Sequence, residues 1–299
     1  MSLDTLRRAN TLDKLLSQVQ AESAPQEKKS YVDERLWKPE LDKSGNGYAV
    51  IRFLPAPEGE ELPWVKMFKH AFQGPTGKWY IENSLTTLGG QKDPVSDYNS
   101  QLWNTGLESD KEIARKQKRK LEYYSNIYVV SDSKHPENEG KVFLFKYGKK
   151  IFDKLTAAMQ PEFEDEEAID PFDFWQGANF KLKAKNVAGY RNYDSSEFAA
   201  VSPLLDDDDA LEALWKKQFS LAEIVAPEQF KTYEELKKRL EYVLGSKRPA
   251  QDPEVFDEDD DRGEAEELVT AAVSAPPTTS TVDKDEDDAL SYFAKLAEE

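Results

Sequence analysis

The chain has 299 residues, 38% of them hydrophobic and 33% charged, with a formal net charge of −18. That length holds one large domain or two ordinary ones, and the low apolar fraction points to a core joined to something highly polar. With no cysteine and only His70 and His135, disulfides, thiol catalysis, cysteine-ligated zinc and a histidine-rich metal site are excluded, and no apolar run is long enough to cross a bilayer.

Residues 1–20 read as a short amphipathic helix in which Leu12, Leu15, Leu16 and Val19 share one face, preceded by a basic-polar cluster of Arg7, Arg8, Asn10 and Thr11. The segment lacks the continuous apolar stretch of a secretory signal, which places the protein in a cytoplasm. Residues 21–40 form a polar linker containing Pro25. Strands are expected over Tyr48–Leu54 (after the hairpin dipeptide Asn46-Gly47), Trp64–Phe72, Lys78–Glu82, Tyr123–Ser131, Lys141–Tyr147 and Asn179–Val187. Asp42, Ser44 and Asn46 mimic the start of a calcium loop, but its twelfth position falls on Phe53 where a bidentate Glu is required.

Gln73–Asn99, rich in Gly, Pro, Ser, Thr and Asn, reads as an irregular insertion, and Lys111–Lys120 as a helical or extended basic stretch. A helix over Ala210–Leu221 follows the acids Asp206–Asp209. A second helix opens with the Thr232/Glu235 capping-box spacing and stops at Gly245. From Gln251 onward the chain is acidic and of disordered composition.

Charge is segregated along this plan. Gln251–Glu299 holds 17 acidic and 3 basic residues, whereas Lys111–Lys154 holds 12 Lys and Arg against 6 Asp and Glu. Binding of phosphate depends on that local field rather than on the total. In KVFLFKYGKK, strand alternation puts Phe143, Phe145 and Tyr147 on one face and Lys146 on the other, with Lys149 and Lys150 just beyond. In FKLKAK, Lys181, Lys183 and Lys185 line one face, and Tyr190, Arg191 and Tyr193 follow; Lys118-Arg119-Lys120 leads into Tyr123-Tyr124. Cations that neutralise phosphates beside aromatic faces that stack unpaired bases are the two ingredients of single-strand binding. Taken singly, a strand aromatic is more often core and a lysine row more often a solvated face. No P-loop, zinc-protease helix or nucleophile elbow is present, so nothing supports an enzyme.

Several stretches resemble the single-stranded DNA-binding proteins of T4-type bacteriophages: LDKSGNGYAVIRFLP (Leu41–Pro55), GKWYIE (Gly77–Glu82), NIYVV (Asn126–Val130), PENEGKVF (Pro136–Phe143), YGKKIFDK (Tyr147–Lys154), WQGANFKLKAKNVAGYRNYD (Trp175–Asp194) and YEELKKRLEYVLG (Tyr233–Gly245). The resemblance implies an α+β, mainly β fold: an OB-fold, or Greek-key barrel, with a β-rich insertion subdomain around residues 64–100, C-terminal helices and flexible terminal arms. It implies a cooperativity arm at 1–20, a core at 41–250 and an acidic tail at 251–299 that binds replication and recombination proteins. Arg7, Arg8 and Thr11 match the self-association motif in diluted form, and Lys118, Arg119 and Lys120 match its internal counterpart. Cleft residues of the family map onto Arg52, Trp103, Tyr123, Tyr124, Phe145, Tyr190 and Tyr193, with Trp103 and Phe145 where the relative has tyrosines.

The family prototype holds zinc with one histidine and three cysteines. Here His70 stands at the histidine, but Ser84, Asp93 and Ser96 stand at the cysteines, and neutral hydroxyls are poor zinc ligands, so no zinc is expected. The resulting expectation is a non-catalytic protein of the host-cell cytoplasm. It coats single-stranded DNA cooperatively, uses no cofactor and contacts no membrane. The alternatives are an RNA-directed translational repressor using the same cleft and an acidic protein-interaction scaffold.

Overall fold

The computed structural model describes residues 33–163, 166–187 and 189–245. The expected N-terminal helix, the motif Arg7, Arg8 and Thr11, and the acidic tail all lie outside the described residues.

Nine strands form the sheet: β1 (Leu36–Trp37), β2 (Gly47–Phe53), β3 (Val65–Gln73), β4 (Trp79–Asn83), β5 (Lys120–Ser131), β6 (Val142–Gly148), β7 (Ala178–Val187), β8 (Tyr190–Asn192) and β9 (Glu197–Val201). Their order is β1-β6-β5-β2-β7-β8, with β3 pairing both β4 and β5, and β9 pairing β7. All pairs are antiparallel except the short β1–β6 contact. Five α-helices are described: α1 (Pro94–Asn104), α2 (Glu108–Lys116), α3 (Lys149–Met159), α4 (Asp208–Trp215) and α5 (Tyr233–Leu244). The chain is therefore mixed and mainly β.

The alternation read from the sequence explains the principal core. On β2, Ala49, Ile51 and Phe53 point inward; on β7 Phe180, Leu182 and Ala184 do the same; on β5 the inward set is Tyr123, Ser125, Ile127 and Val129. Phe53 sits at the centre, with Phe145, Tyr147, Phe172 and Phe180 around it at centroid distances of 5.6–6.2 Å and tilted or edge-on angles. Ile151 and Leu155 of α3 close one side. Trp37 of β1 packs edge-on against Phe145 and donates its indole N–H to Asp132 at 3.0 Å.

A second apolar cluster lies at the far end of the β3–β4 hairpin, where Phe72 and Tyr80 meet Val95 of α1 and Leu240 and Val243 of α5. Helix α5 has the sequence signals at both ends. Thr232 accepts from the Glu235 N–H while Glu235 reaches back to Thr232, and Gly245 stops the helix at φ 75°, a left-handed conformation suited to glycine. Further along, Asn126 exchanges two hydrogen bonds with the Phe219 backbone, tying the C-terminal segment to β5.

Three local expectations differ from the structure. The Gln73–Asn99 stretch is not irregular throughout: besides β4 it holds a 3-10 turn (Leu85–Leu88) and most of α1, which Asp93 caps and Pro94 opens at its first position. Asn46-Gly47 makes no two-residue hairpin. Asp42 accepts the Ser44 and Asn46 N–H groups in a local turn, and β2 pairs with β5 and β7 instead. The helix expected to reach Leu221 ends at Trp215 and is followed by a 3-10 turn at Ala222–Val225.

Candidate nucleic-acid interface

Strand register decides which of the expected binding residues meet. Pairing of β3 with β5 puts Lys69 opposite Lys120, Phe68 opposite Leu121, Lys66 opposite Tyr123 and Val65 opposite Tyr124. Pairing of β5 with β6 puts Tyr124 opposite Lys146. The Arg119 guanidinium lies over the Phe68 ring, 4.1 Å from its centroid. Alternation thus puts Lys69, Lys120 and Lys146 on the face of the half-buried Tyr124, while Lys66 and Phe68, with Arg119 over its ring, share the other face with Tyr123. A carboxylate is already present: Glu122 lies 3.7 Å from Lys146 and accepts from the Tyr124 hydroxyl at 3.4 Å.

The α1–α2 pair carries a second group of cations beside an aromatic ring. Trp103, half-buried on α1, has Lys111 and Arg115 of α2 each 5.5 Å from its ring. Such a Trp with two cations suits a phosphate backbone carrying a base. Lys149, at the start of α3, pairs with Asp153 at 2.9 Å. Tyr190 is 60% exposed, with its backbone in the β7–β8 hairpin, whereas Tyr193 is half-buried against the principal core.

Three expected contact residues are internal, and the expectation is corrected for each. Arg52 is completely buried: Nη2 donates to the Asp173 and Ser202 carbonyls at 2.9 Å each, and Nη1 to Asn179 Oδ1 at 3.4 Å. Burial pulls its pKa down against the opposing pull of Asp173. It braces the 173–177 loop, where a Cβ on Gly177 would come within 2.8 Å of Arg52 Nη2. Tyr123 is 5% exposed and stacks on Phe152 of α3 at 4.0 Å, and burial raises its hydroxyl pKa. Phe145 is 3% exposed and wedged between Trp37, Phe53 and Tyr147. An arginine without solvent and rings covered by neighbours have no open face for a phosphate or a base.

The lysine ladder of β7 is present on the outward face, but β9 supplies Glu197, which pairs with Lys183 at 2.9 Å and Lys181 at 3.8 Å. Lys66, Lys69 and the ring of Phe68 were the members that sequence reasoning missed. Trp64–Phe72 and Tyr123–Ser131 are both expected as strands, but neither their pairing nor the start of β5 at Lys120 is local in the sequence, and only that pairing sets Lys69 beside the basic run.

Residues 45–244 match the family model described as gp32 DNA binding protein like. The chain is 42% identical over 220 residues to the single-stranded DNA-binding protein of Enterobacteria phage T2, covering 72% of this chain and 71% of that one. The chain belongs to the gp32-like family of T4-type phage single-stranded DNA-binding proteins. The phage T4 protein of the same name is equally similar, 42% over 220 residues with the same shares covered, and that of Escherichia phage SV14 is 46% identical over 76 residues, 24% of this chain and 66% of the relative.

Against the gp32-like family's metal site, the residues here do not fit zinc. His70, Ser84, Asp93 and Ser96 do converge, each at most 3% exposed. Yet both Asp93 oxygens are occupied by protein donors, and two of the four side chains are neutral hydroxyls. Among the described residues no group of three His, Asp or Glu side chains gathers into a metal cage.

Proposed function

We propose that this chain binds and coats single-stranded DNA, cooperatively and without strong sequence preference, during phage DNA replication, recombination and repair in the host-cell cytoplasm. The observation that carries the reading is the junction of β3, β5 and β6, where register puts Lys69, Lys120 and Lys146 on the same sheet face as Tyr124 in a member of this family. Cations there neutralise phosphates with release of counterions, and an aromatic face stacks an unpaired base, contributing roughly 1–3 kcal/mol with little regard to sequence. A duplex hides its base faces, so the same surface discriminates against it.

The antiparallel run β6-β5-β2-β7 around one aromatic core is the part of the sheet that supports an OB-fold. Self-association through Arg7, Arg8 and Thr11 and partner binding by the acidic tail at 251–299 complete the reading, with no catalysis and no metal. The test is quenching of tryptophan fluorescence by oligo-dT and by oligo-rU of equal length, with Trp103 as the expected reporter. Quenching with tighter binding of the DNA strand supports the reading. Tighter binding of the RNA strand turns it into an RNA-directed repressor, and no quenching by either leaves a protein scaffold.

A further inference from the structure

We infer that the residues standing at the family's metal positions form a metal-free lock, and that this lock sets the position of the basic run Lys118–Lys120. The second half rests on the single-strand-binding reading above; the first does not.

Asp93 is the centre of the lock. Its Oδ1 accepts the Val95 and Ser96 N–H groups at 3.0 and 3.1 Å, and its Oδ2 accepts Ser84 Oγ and the Leu85 N–H at 3.0 and 3.2 Å. His70 Nε2 lies 3.2 Å from Oδ1. One carboxylate thereby ties β3, the 3-10 turn after β4 and the first turn of α1, the three pieces that a shared metal ion would have joined. Burial works to raise the Asp93 pKa, but the contacts from His70, Ser96 and Ser84 outweigh it and hold the carboxyl below its usual range. A buried carboxylate persists only when its acceptor sites are filled, and here they are.

The network does not stop at the four positions. The other ring nitrogen of His70, Nδ1, lies 2.9 Å from the Gln117 carbonyl oxygen, and Asn99 Nδ2 of α1 donates to that same oxygen at 3.3 Å. Gln117 is 5% exposed and caps α2 immediately before Lys118. The peptide carrying the basic run is therefore gripped by two side chains of the lock, and β5 begins two residues later at Lys120. Asn99 and Gln117 are accordingly positioning residues: they touch no strand themselves and act through the cations that follow.

The experiment uses the full-length protein and two variants, Asp93→Asn and Asn99→Ala. Metal content by plasma mass spectrometry and thermal unfolding with and without 1,10-phenanthroline address the lock; salt titration of oligo-dT binding, well below the melting temperature, addresses positioning. The expected result is no stoichiometric divalent metal, unfolding indifferent to the chelator, and a melting temperature lowered by on the order of 10 °C in Asp93→Asn. Asn99→Ala should melt within about 4 °C of the unsubstituted protein. Its salt dependence should be shallower by about 0.7 in log–log slope for each phosphate that is no longer neutralised. Stoichiometric zinc together with a chelator-sensitive melt would overturn the metal-free lock. An Asn99→Ala variant with unchanged slope and affinity would overturn the positioning role. If the unsubstituted protein ignores oligo-dT while the melting results hold, the functional reading fails and the lock stands.

Discussion

Arg52 offers the sharpest separation between a phosphate contact and a structural brace. Replacing it with methionine, of similar reach, leaves the Asp173 and Ser202 carbonyls without their donor at a site with no solvent exposure. Each buried acceptor left unpaired costs about 1–3 kcal/mol. Against that stands the relief of no longer burying a guanidinium that has a side-chain amide and two carbonyls as its hydrogen-bond partners and no carboxylate. The net expectation is a loss of about 3 kcal/mol, which lowers the melting temperature by about 6–12 °C in a domain of this size. Arg52→Lys keeps the charge, loses the two-pronged reach and should fall between. The assay is thermal unfolding by circular dichroism, followed by salt titration of oligo-dT binding at a temperature where both proteins are folded. The slope of log K against log salt should be unchanged. An unchanged melt with a slope reduced by about 0.7 would mean that Arg52 meets a phosphate, and the assignment as a brace would be wrong.

The remaining expectations divide the other residues in the same way. Replacing Lys118 and Lys120 with alanine should leave stability within about 0.5 kcal/mol and flatten the salt dependence by about 0.7 for each phosphate left without its cation, read by oligo-dT titration. Tyr124→Ala should weaken oligo-dT binding by roughly 1–3 kcal/mol with little change in melting. Phe145→Ala should instead cost about 3–5 kcal/mol of stability, seen as an earlier denaturant midpoint. His135, exposed between Glu137 at 2.9 Å and Glu40 at 2.6 Å, has its pKa raised by hydrogen bonds to both carboxylates. A raised folded-state pKa means that this link is complete below the unfolded histidine value of about 6.5 and is lost as pH rises through the folded value. An NMR titration should find the imidazole above the ordinary value and Glu40→Gln should lower it; an unshifted His135 would contradict the contact.

What could be read from the sequence follows what is local. The strand alternation of Phe180, Leu182 and Ala184 against Lys181, Lys183 and Lys185 is local, as are the Thr232/Glu235 cap and the Gly245 stop, and all three appear as read. Helix α1 carried its own signal in Asp93-Pro94, but the loop-like composition around it masked the cap. The inward role of Tyr123 was also legible, since it shares alternation with Ile127 and Val129 while Tyr124 does not. Family correspondence had drawn both tyrosines to the cleft together.

What could not be read depends on partners distant in the chain. Arg52 is buried by carbonyls 121 and 150 residues away, and Lys69 meets Lys120 only through register. The half-neutralised lysine ladder depends on Glu197 of β9, a strand with no expectation attached to it. The convergence of His70, Ser84, Asp93 and Ser96 came from the resemblance, but the reach of that network to Gln117 required the fold.

The central claim is that a cationic, aromatic junction selects unpaired strands. The most direct measurement is a salt titration of full-length protein binding to oligo-dT beside a matched duplex. Tight binding to the single strand that weakens steeply with salt, with the duplex bound far more weakly, is the result expected. Equal affinity for the two at every salt concentration would contradict the stacking argument and leave the junction as an ordinary basic surface.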